Sequence, residues 1–219
     1  MLIQLVKLAR PWHWIKNGFV LAPVPFALAV GAKLDLTVFA LGLLGFSLVN
    51  SAVYAFNDVR DQAADRHSPT KRSRPVASGA VSSALALALA AILASIGLTL
   101  CWLTEVRAAI VLSLIYLSVN LVYSLGAKNL PVLDVFLLAS GFLIRVLLGC
   151  ALVDAAPSNW LLLCSSALAL FLAFGKRRAD LVAGLTSEHR PSLAGYTVGF
   201  LNSALGITAG IAMFAYALY

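Results

Sequence analysis

Long apolar runs alternate with short polar stretches along the 219 residues of the chain. Each run is on the order of 20 residues, the length an α-helix needs to cross the hydrocarbon core of a bilayer. The pattern predicts seven spans, at about 18–32, 36–56, 81–103, 107–125, 132–153, 158–175 and 198–219. Pro23 and Pro25 interrupt the first, which predicts a kink or a short tilted helix. Ahead of it, Leu2, Ile3, Leu5, Val6 and Leu8 alternate with Gln4, Lys7 and Arg10. That alternation predicts an amphipathic lead-in along the membrane surface, with Trp12 and Trp14 as headgroup anchors. The expected fold is a single all-α domain over 1–219, a polytopic transmembrane bundle in contact with the lipid bilayer.

Composition agrees. The chain is 61% hydrophobic and 11% charged, with a mean hydropathy of +0.93, far from the balance of a soluble domain. No small-residue cleavage pattern follows the basic start, so the first span is expected to direct insertion. Cys101, Cys150 and Cys164 fall inside apolar runs without a CxxC spacing and read as small core residues. The net charge of +7 gathers in a few membrane-flanking segments, which argues against a nucleic-acid partner. Thirteen of the sixteen Lys and Arg residues lie on one side if the N-terminus is inside. The outside turns hold only Lys33 and Arg107, and Arg145 lies within a span. By the positive-inside rule both long polar segments, 57–79 and 176–191, face the cytoplasm.

The first of these segments concentrates the chemistry. It reads NDVRDQAADRHSPTKRSRPVASG, with Asp58, Asp61 and Asp65 followed by Arg66, Lys71, Arg72 and Arg74. Asn57, Asp61 and Asp65 fall at i, i+4 and i+8, and Asp58 precedes Asp61 by three. On a helix continuing from the preceding span they project from one broad face. Carboxylates that close repel one another unless a cation lies between them. Oxygen ligands without Cys or His suit Mg²⁺, which keeps waters and takes further ligands from substrate phosphates. The basic residues behind can meet those phosphates directly. This predicts a Mg²⁺-diphosphate site at the membrane surface.

These residues resemble the UbiA prenyltransferase superfamily. The pattern N57-D58-x-x-D61-x-x-x-D65, followed by Pro69, looks like its first aspartate-rich motif. RPWHWIKN (Arg10 to Asn17), HSPTKRSRPVASG (His67 to Gly79), YSLGAKNLPVLDV (Tyr123 to Val135), Arg145, GKRRADL (Gly175 to Leu181) and HRPSLAGYTVGFLN (His189 to Asn202) resemble its decaprenyl-phosphate phosphoribosyltransferase branch. The resemblance implies transfer of 5-phosphoribose from 5-phosphoribosyl 1-diphosphate to a polyprenyl phosphate at a bacterial inner membrane. The product would lead to a lipid-linked D-arabinose donor for a cell-wall arabinan or for a secreted decoration such as a nodulation factor. A homo-oligomer is allowed for.

Under the resemblance, Asp58, Asp61 and Asp65 are the catalytic metal ligands, with Asn57 orienting them. Lys71, Arg72 and Arg74 hold one phosphate group; Lys176, Arg177 and Arg178, from the facing segment, hold another. Lys16, Asn17 and Lys128 are additional phosphate contacts, and Tyr123 is a hydrogen-bond donor. Lys7, Arg10 and Lys33 read as orientation signals, and Asp134 as a complement to a helix dipole. Arg145, roughly midway along its span, lines a polar cavity or has a buried partner. His13, His67 and His189 show no ligand spacing. Two departures stand out. Aromatic prenyltransferases of the superfamily carry a second DxxxD motif, where this chain has Lys176-Arg177-Arg178-Ala179-Asp180. The superfamily has nine spans and seven are counted, so the last two helices are expected to be lacking. The alternatives are an aromatic prenyltransferase of a quinone or haem pathway, or a non-catalytic membrane subunit.

Overall fold

The structure is a computed structural model that describes residues 1–68, 70–187 and 190–218. Pro69, Glu188, His189 and Tyr219 lie outside the described residues, and with them the proline after the acidic motif, one histidine of the second polar segment and the last residue of the seventh span. The described residues form helices and turns, without strands. Helix α1 is Leu2–Ala9, α2 is Val24–Ala29, α3 is Leu36–Arg60 and α4 is Gln62–His67. Then come α5 (Ser83–Leu103), α6 (Arg107–Leu125), α7 (Leu133–Leu152), α8 (Asn159–Val182) and α9 (Val198–Ala217). Single-turn 3₁₀ segments occupy Ala127–Asn129 and Pro191–Gly195, and a longer one runs over Pro11–Val20.

Among the described residues six helices, α3 and α5 to α9, are long and apolar enough to cross a membrane. The remaining expected span is not one helix. Pro23 and Pro25 deny the helix two backbone donors, so the stretch divides into the 3₁₀ segment Pro11–Val20 and the short α2. A 3₁₀ helix rises about 2 Å per residue and an α-helix about 1.5 Å. End to end the two pieces have the length of a crossing, about 30 Å, and both pack against α7. Helix starts follow side-chain caps: Asp35 accepts from the Thr37 and Val38 amides, Ser82 from Leu85, Ser158 from Leu161 and Thr197 from Phe200.

Helices α3 and α7 form the interior, and α5, α6, α8 and α9 surround them. Helix α3 meets α5 at paired glycines. A Cβ on Gly97 would lie 2.6 Å from the Gly45 carbonyl oxygen, so only glycine permits this close approach, the small-residue packing typical of membrane helices. Leu8 of α1 is fully buried with Ala55, Val76 and Val81, while Leu2, Ile3 and Val6 stay exposed, as an interfacial lead-in requires. Cys101 and Cys150 are buried free thiols and Cys164 is half-buried.

One polar extension was expected and one was not. Helix α3 runs on to Arg60, and α4 resumes one residue later, with Asp61 donating to Asn57 O and Asp65 to Asp61 O at helical spacing. Helix α8 continues through Lys176 to Val182. Its residues there are good helix formers, and the first strong breaker is Gly184 at φ +78°.

Candidate active site

One face of α3 carries a polar stripe through an apolar helix: Ser47, Asn50, Ser51, Tyr54, Asp58, then Asp61 and Asp65 beyond the helix end. The spacing of three and four keeps them on one side, and from Ser47 to Asp58 the stripe is about 16 Å long. The Pro11–Val20 segment lies along it. Trp14 Nε1 donates to Ser51 Oγ at 2.9 Å and Asn17 Nδ2 to Ser47 Oγ at 2.8 Å. At the deep end, Arg145 of α7 is 4% exposed. It donates through Nε to Asn17 Oδ1 (2.8 Å), through Nη1 to Gly141 O (2.6 Å) and through Nη2 to Tyr116 OH (3.2 Å). Its guanidinium also lies over the rings of Phe46, Tyr116 and Phe142. These polar and π contacts solvate a charge that would otherwise be very costly at mid-bilayer.

At the shallow end each aspartate meets a cation. Asp58, 1% exposed, pairs with Arg10 and lies 3.5 Å from Arg74 Nη1. Asp65, also buried, accepts from the same Arg74 nitrogen at 2.6 Å. Asp61 pairs with Lys128, from the turn after α6. Asn57 Oδ1 accepts from Ser124 Oγ on α6. Asp58 and Asp65 thus share a cation, as their seven-residue separation on nearly continuous helix requires, while Asp61 faces α6. Among the described residues no three His, Cys, Asp or Glu side chains gather closely enough to hold a metal by themselves.

The remaining expected residues divide. Lys71 and Arg72 are exposed on the turn that leads to Arg74. Arg66 is taken up by Ala77 O at 3.2 Å. Tyr123 OH accepts from Arg190 Nη2 at 2.6 Å. Lys176, Arg177 and Arg178 do not act together. Arg177 is fully buried against Asp134 (2.7 Å) and Asp180 (2.6 Å), and Arg178 reaches Asn202 of α9 (2.6 Å). Lys176 makes no ion pair among the described residues. Lys16 is exposed on the Pro11–Val20 segment, and His13, half-buried, lies edge-on to Tyr54.

Sequence reasoning undervalued three groups. Arg10, read as an orientation signal, is an ion-pair partner of the buried Asp58. Asp134, read as a dipole complement, binds Arg177 and accepts from Ser192 and Tyr196. Arg190 bridges Tyr123 and Ser192. The available signal was an aspartate entering an apolar run, facing three separated hydrogen-bonding residues in a later polar stretch.

Six helices among the described residues long and apolar enough to cross a membrane, with carboxylates and cations gathered at one end of α3, define a multi-pass membrane protein. The chain belongs to the UbiA prenyltransferase family, whose model matches residues 18–219. It is 38% identical over 221 residues to a decaprenyl-phosphate phosphoribosyltransferase of Mycolicibacterium smegmatis, covering 98% of this chain and 69% of that protein. A protein of the same name from Mycobacterium tuberculosis is 37% identical, with 98% and 73% covered. The nodulation protein NoeC of Azorhizobium caulinodans is 30% identical over 85% of this chain and 60% of its own length. In fold, the chain matches a UbiA homolog from Archaeoglobus fulgidus bound to GPP and Mg²⁺, with a TM-score of 0.80 at 18% identity, over 98% of this chain and 77% of that one.

The residues here fit such a divalent ion. The available donors are oxygens alone, which suits Mg²⁺. Asp58 Oδ2 is buried without a hydrogen-bond partner, so one anionic oxygen remains after the ion pairs are made.

Proposed function

We propose that this protein transfers 5-phosphoribose from 5-phosphoribosyl 1-diphosphate to a polyprenyl phosphate and releases diphosphate. The observation that carries the reading is the union at one end of α3 of Asp58, Asp61 and Asp65 with Arg10, Arg74 and Lys128, in a chain 38% identical to a protein of that name. The site faces the cytoplasm of a bacterial inner membrane, in line with the distribution of Lys and Arg.

An oxygen of the lipid phosphate forms a bond to the anomeric carbon, and the bond from that carbon to the diphosphate breaks, its electron pair leaving with the diphosphate. The nucleophile is already anionic, so alignment contributes more than base catalysis. Asp58, Asp61 and Asp65 would hold Mg²⁺, which when bound neutralises charge on the departing diphosphate. Arg74 and Lys128, already beside these carboxylates, turn to donor phosphates and stabilise the growing negative charge. Lys71 and Arg72 are exposed one turn away and meet the outer phosphate. Lys16 and Lys176 supply positive charge for the acceptor phosphate. Asn57, fixed by Ser124, keeps the end of α3 in register with α6.

The single carboxylate of the Lys176–Asp180 stretch, Asp180, is engaged by Arg177 at 2.6 Å, which argues against a second metal site of the aromatic-prenyltransferase kind. Membranes containing the protein, given labelled sugar donor, polyprenyl phosphate and Mg²⁺, are expected to move label into a lipid-extractable product. Asp61→Ala is expected to stop this at unchanged protein abundance. Turnover of a prenyl diphosphate with an aromatic acceptor, and none with the sugar donor, would overturn the proposal.

A further inference from the structure

We propose that Asp134 is a positioning residue that acts through Arg177 and Arg190 to set Lys176 toward the phosphate-binding end of the bundle. The choice of ligand rests on the proposed sugar-donor function; the clamp itself rests on geometry.

Three consecutive residues on a helix point in directions about 100° apart, so Lys176, Arg177 and Arg178 cannot converge on one phosphate. Arg178 is committed outward to Asn202 and Arg177 inward to Asp134 and Asp180. That leaves Lys176 on a third face of α8, exposed and without an ion pair among the described residues. The rotation of α8 about its axis decides this division, and the contact that fixes the rotation is Arg177 with Asp134, both fully buried.

Asp134 does more than a helix N-terminus asks of an acidic residue. Its Oδ1 accepts from Tyr196 OH at 2.6 Å. Its Oδ2 accepts from Ser192 Oγ at 2.9 Å and lies 2.7 Å from Arg177 Nε and 3.6 Å from Arg190 Nη2. Tyr196 OH in turn accepts from the Val132 amide at 2.7 Å, holding that β-branched residue at φ +68°, a conformation it seldom adopts. Burial and the bond to Asp134 push the Tyr196 phenol well above its ordinary pKa, so it remains a donor. Arg190 carries the network to Tyr123 on α6. Gly195 seals it, since a Cβ there would lie 2.4 Å from Pro131. Helix α8 and the stretch 190–196 are therefore tied to one carboxylate of α7, and α6 is joined to it through Arg190. Arg177 Nε and Nη2 are both buried without a hydrogen bond among the described residues, and Nε has the Asp134 charge 2.7 Å away, so loss of that charge leaves a buried guanidinium short of partners. Relief comes from turning the end of α8 toward solvent, which changes the direction in which Lys176 leaves the helix.

The test uses the full chain in detergent, with Mg²⁺ and inorganic pyrophosphate as probe. Asp134→Asn is expected to weaken retention of the probe about tenfold or more, and Arg177→Gln to do the same. Because Asp134 acts through Arg177, the double variant is expected to bind no more weakly than the weaker single variant. Asp134→Glu, which keeps the charge, is expected to recover part of the loss. Wild-type retention by a folded Asp134→Asn protein, or a double variant showing the product of the two single losses, would overturn the proposal. Should Asp134→Asn not be recovered folded, Arg177→Lys carries the same comparison with Arg177→Gln. Failure of the wild-type protein to retain the probe would count against the sugar-donor function alone. Hydrogen exchange over residues 190–196 then decides the clamp: faster exchange in Asp134→Asn supports it, and unchanged exchange refutes it.

Discussion

Gly149 on α7 offers a direct test of how the polar interior is held. A Cβ there would lie 2.0 Å from the Val20 carbonyl oxygen and 2.8 Å from Pro23 Cγ. Favourable contact between heavy atoms begins near about 3.5 Å, so Gly149→Ala must displace the Pro11–Val20 segment from α7 by about 1 Å or more. The carbonyl cannot swing aside like a side-chain end, and overpacking of this kind costs about 1–3 kcal/mol. For a chain of this length that corresponds to a fall in melting temperature of about 2–12 °C. The displacement reaches function because Asn17 is three residues before Val20 and Arg145 is one turn before Gly149. Their 2.8 Å hydrogen bond does not survive an ångström of separation with useful geometry. Thermal unfolding in detergent, followed by tryptophan fluorescence, is expected to show the destabilisation, and transferase assays a parallel loss. Gly206→Ala on α9 is the control, since nothing lies within 4 Å of its added methyl and alanine favours the helix. A Gly149→Ala protein that melts no lower than wild type would refute the packing described for this segment.

Lys128→Gln removes the partner of Asp61 from a partly exposed pair. It is expected to change stability by less than about 1 kcal/mol yet to lower turnover about a hundredfold, read by denaturation and by initial rates. Arg74→Gln takes away the cation shared by Asp58 and Asp65. Titration calorimetry is expected to show tighter Mg²⁺ binding without donor and weaker pyrophosphate binding with it. Arg145→Leu removes the guanidinium donor from Tyr116 OH and leaves Asn17 Oδ1 to the longer bond from Asn50 Nδ2 at 3.2 Å, and is expected to cost about 1–3 kcal/mol.

Helix positions were legible because a membrane enforces them: a run of about 20 apolar residues has few other ways to satisfy its backbone. The acidic motif was legible because its helical spacing is local. Asp58 and Asp65 do share a face, and the near-continuous helix that places them was expected. What was not legible depends on rotation and distance. The string Lys176-Arg177-Arg178 reads as one basic patch, but each side chain leaves the helix in a different direction, and only the packing of α8 against α7 and α9 says which. Arg10 looked like a topological charge because its partner lies 48 residues away. Asp134 looked like a local dipole effect because its hydroxyl partners are 58 and 62 residues further on. The broken first crossing was half legible: the prolines announced an interruption, whereas the long 3₁₀ segment follows from its fit beside α7.

The bond between Asn17 and Arg145 spans 128 residues, and this imposes an order on biogenesis. As the polypeptide emerges from the ribosome, the first crossing must enter the lipid with its asparagine lacking the guanidinium that will claim it. Three further hydrophobic stretches have to be threaded before the one that carries that partner arrives. Until then Ser47 and Asn50 on the following stretch are the neighbours able to satisfy the amide, so early pairing of these two segments shelters the nascent interior until the later half docks and the reaction chamber closes.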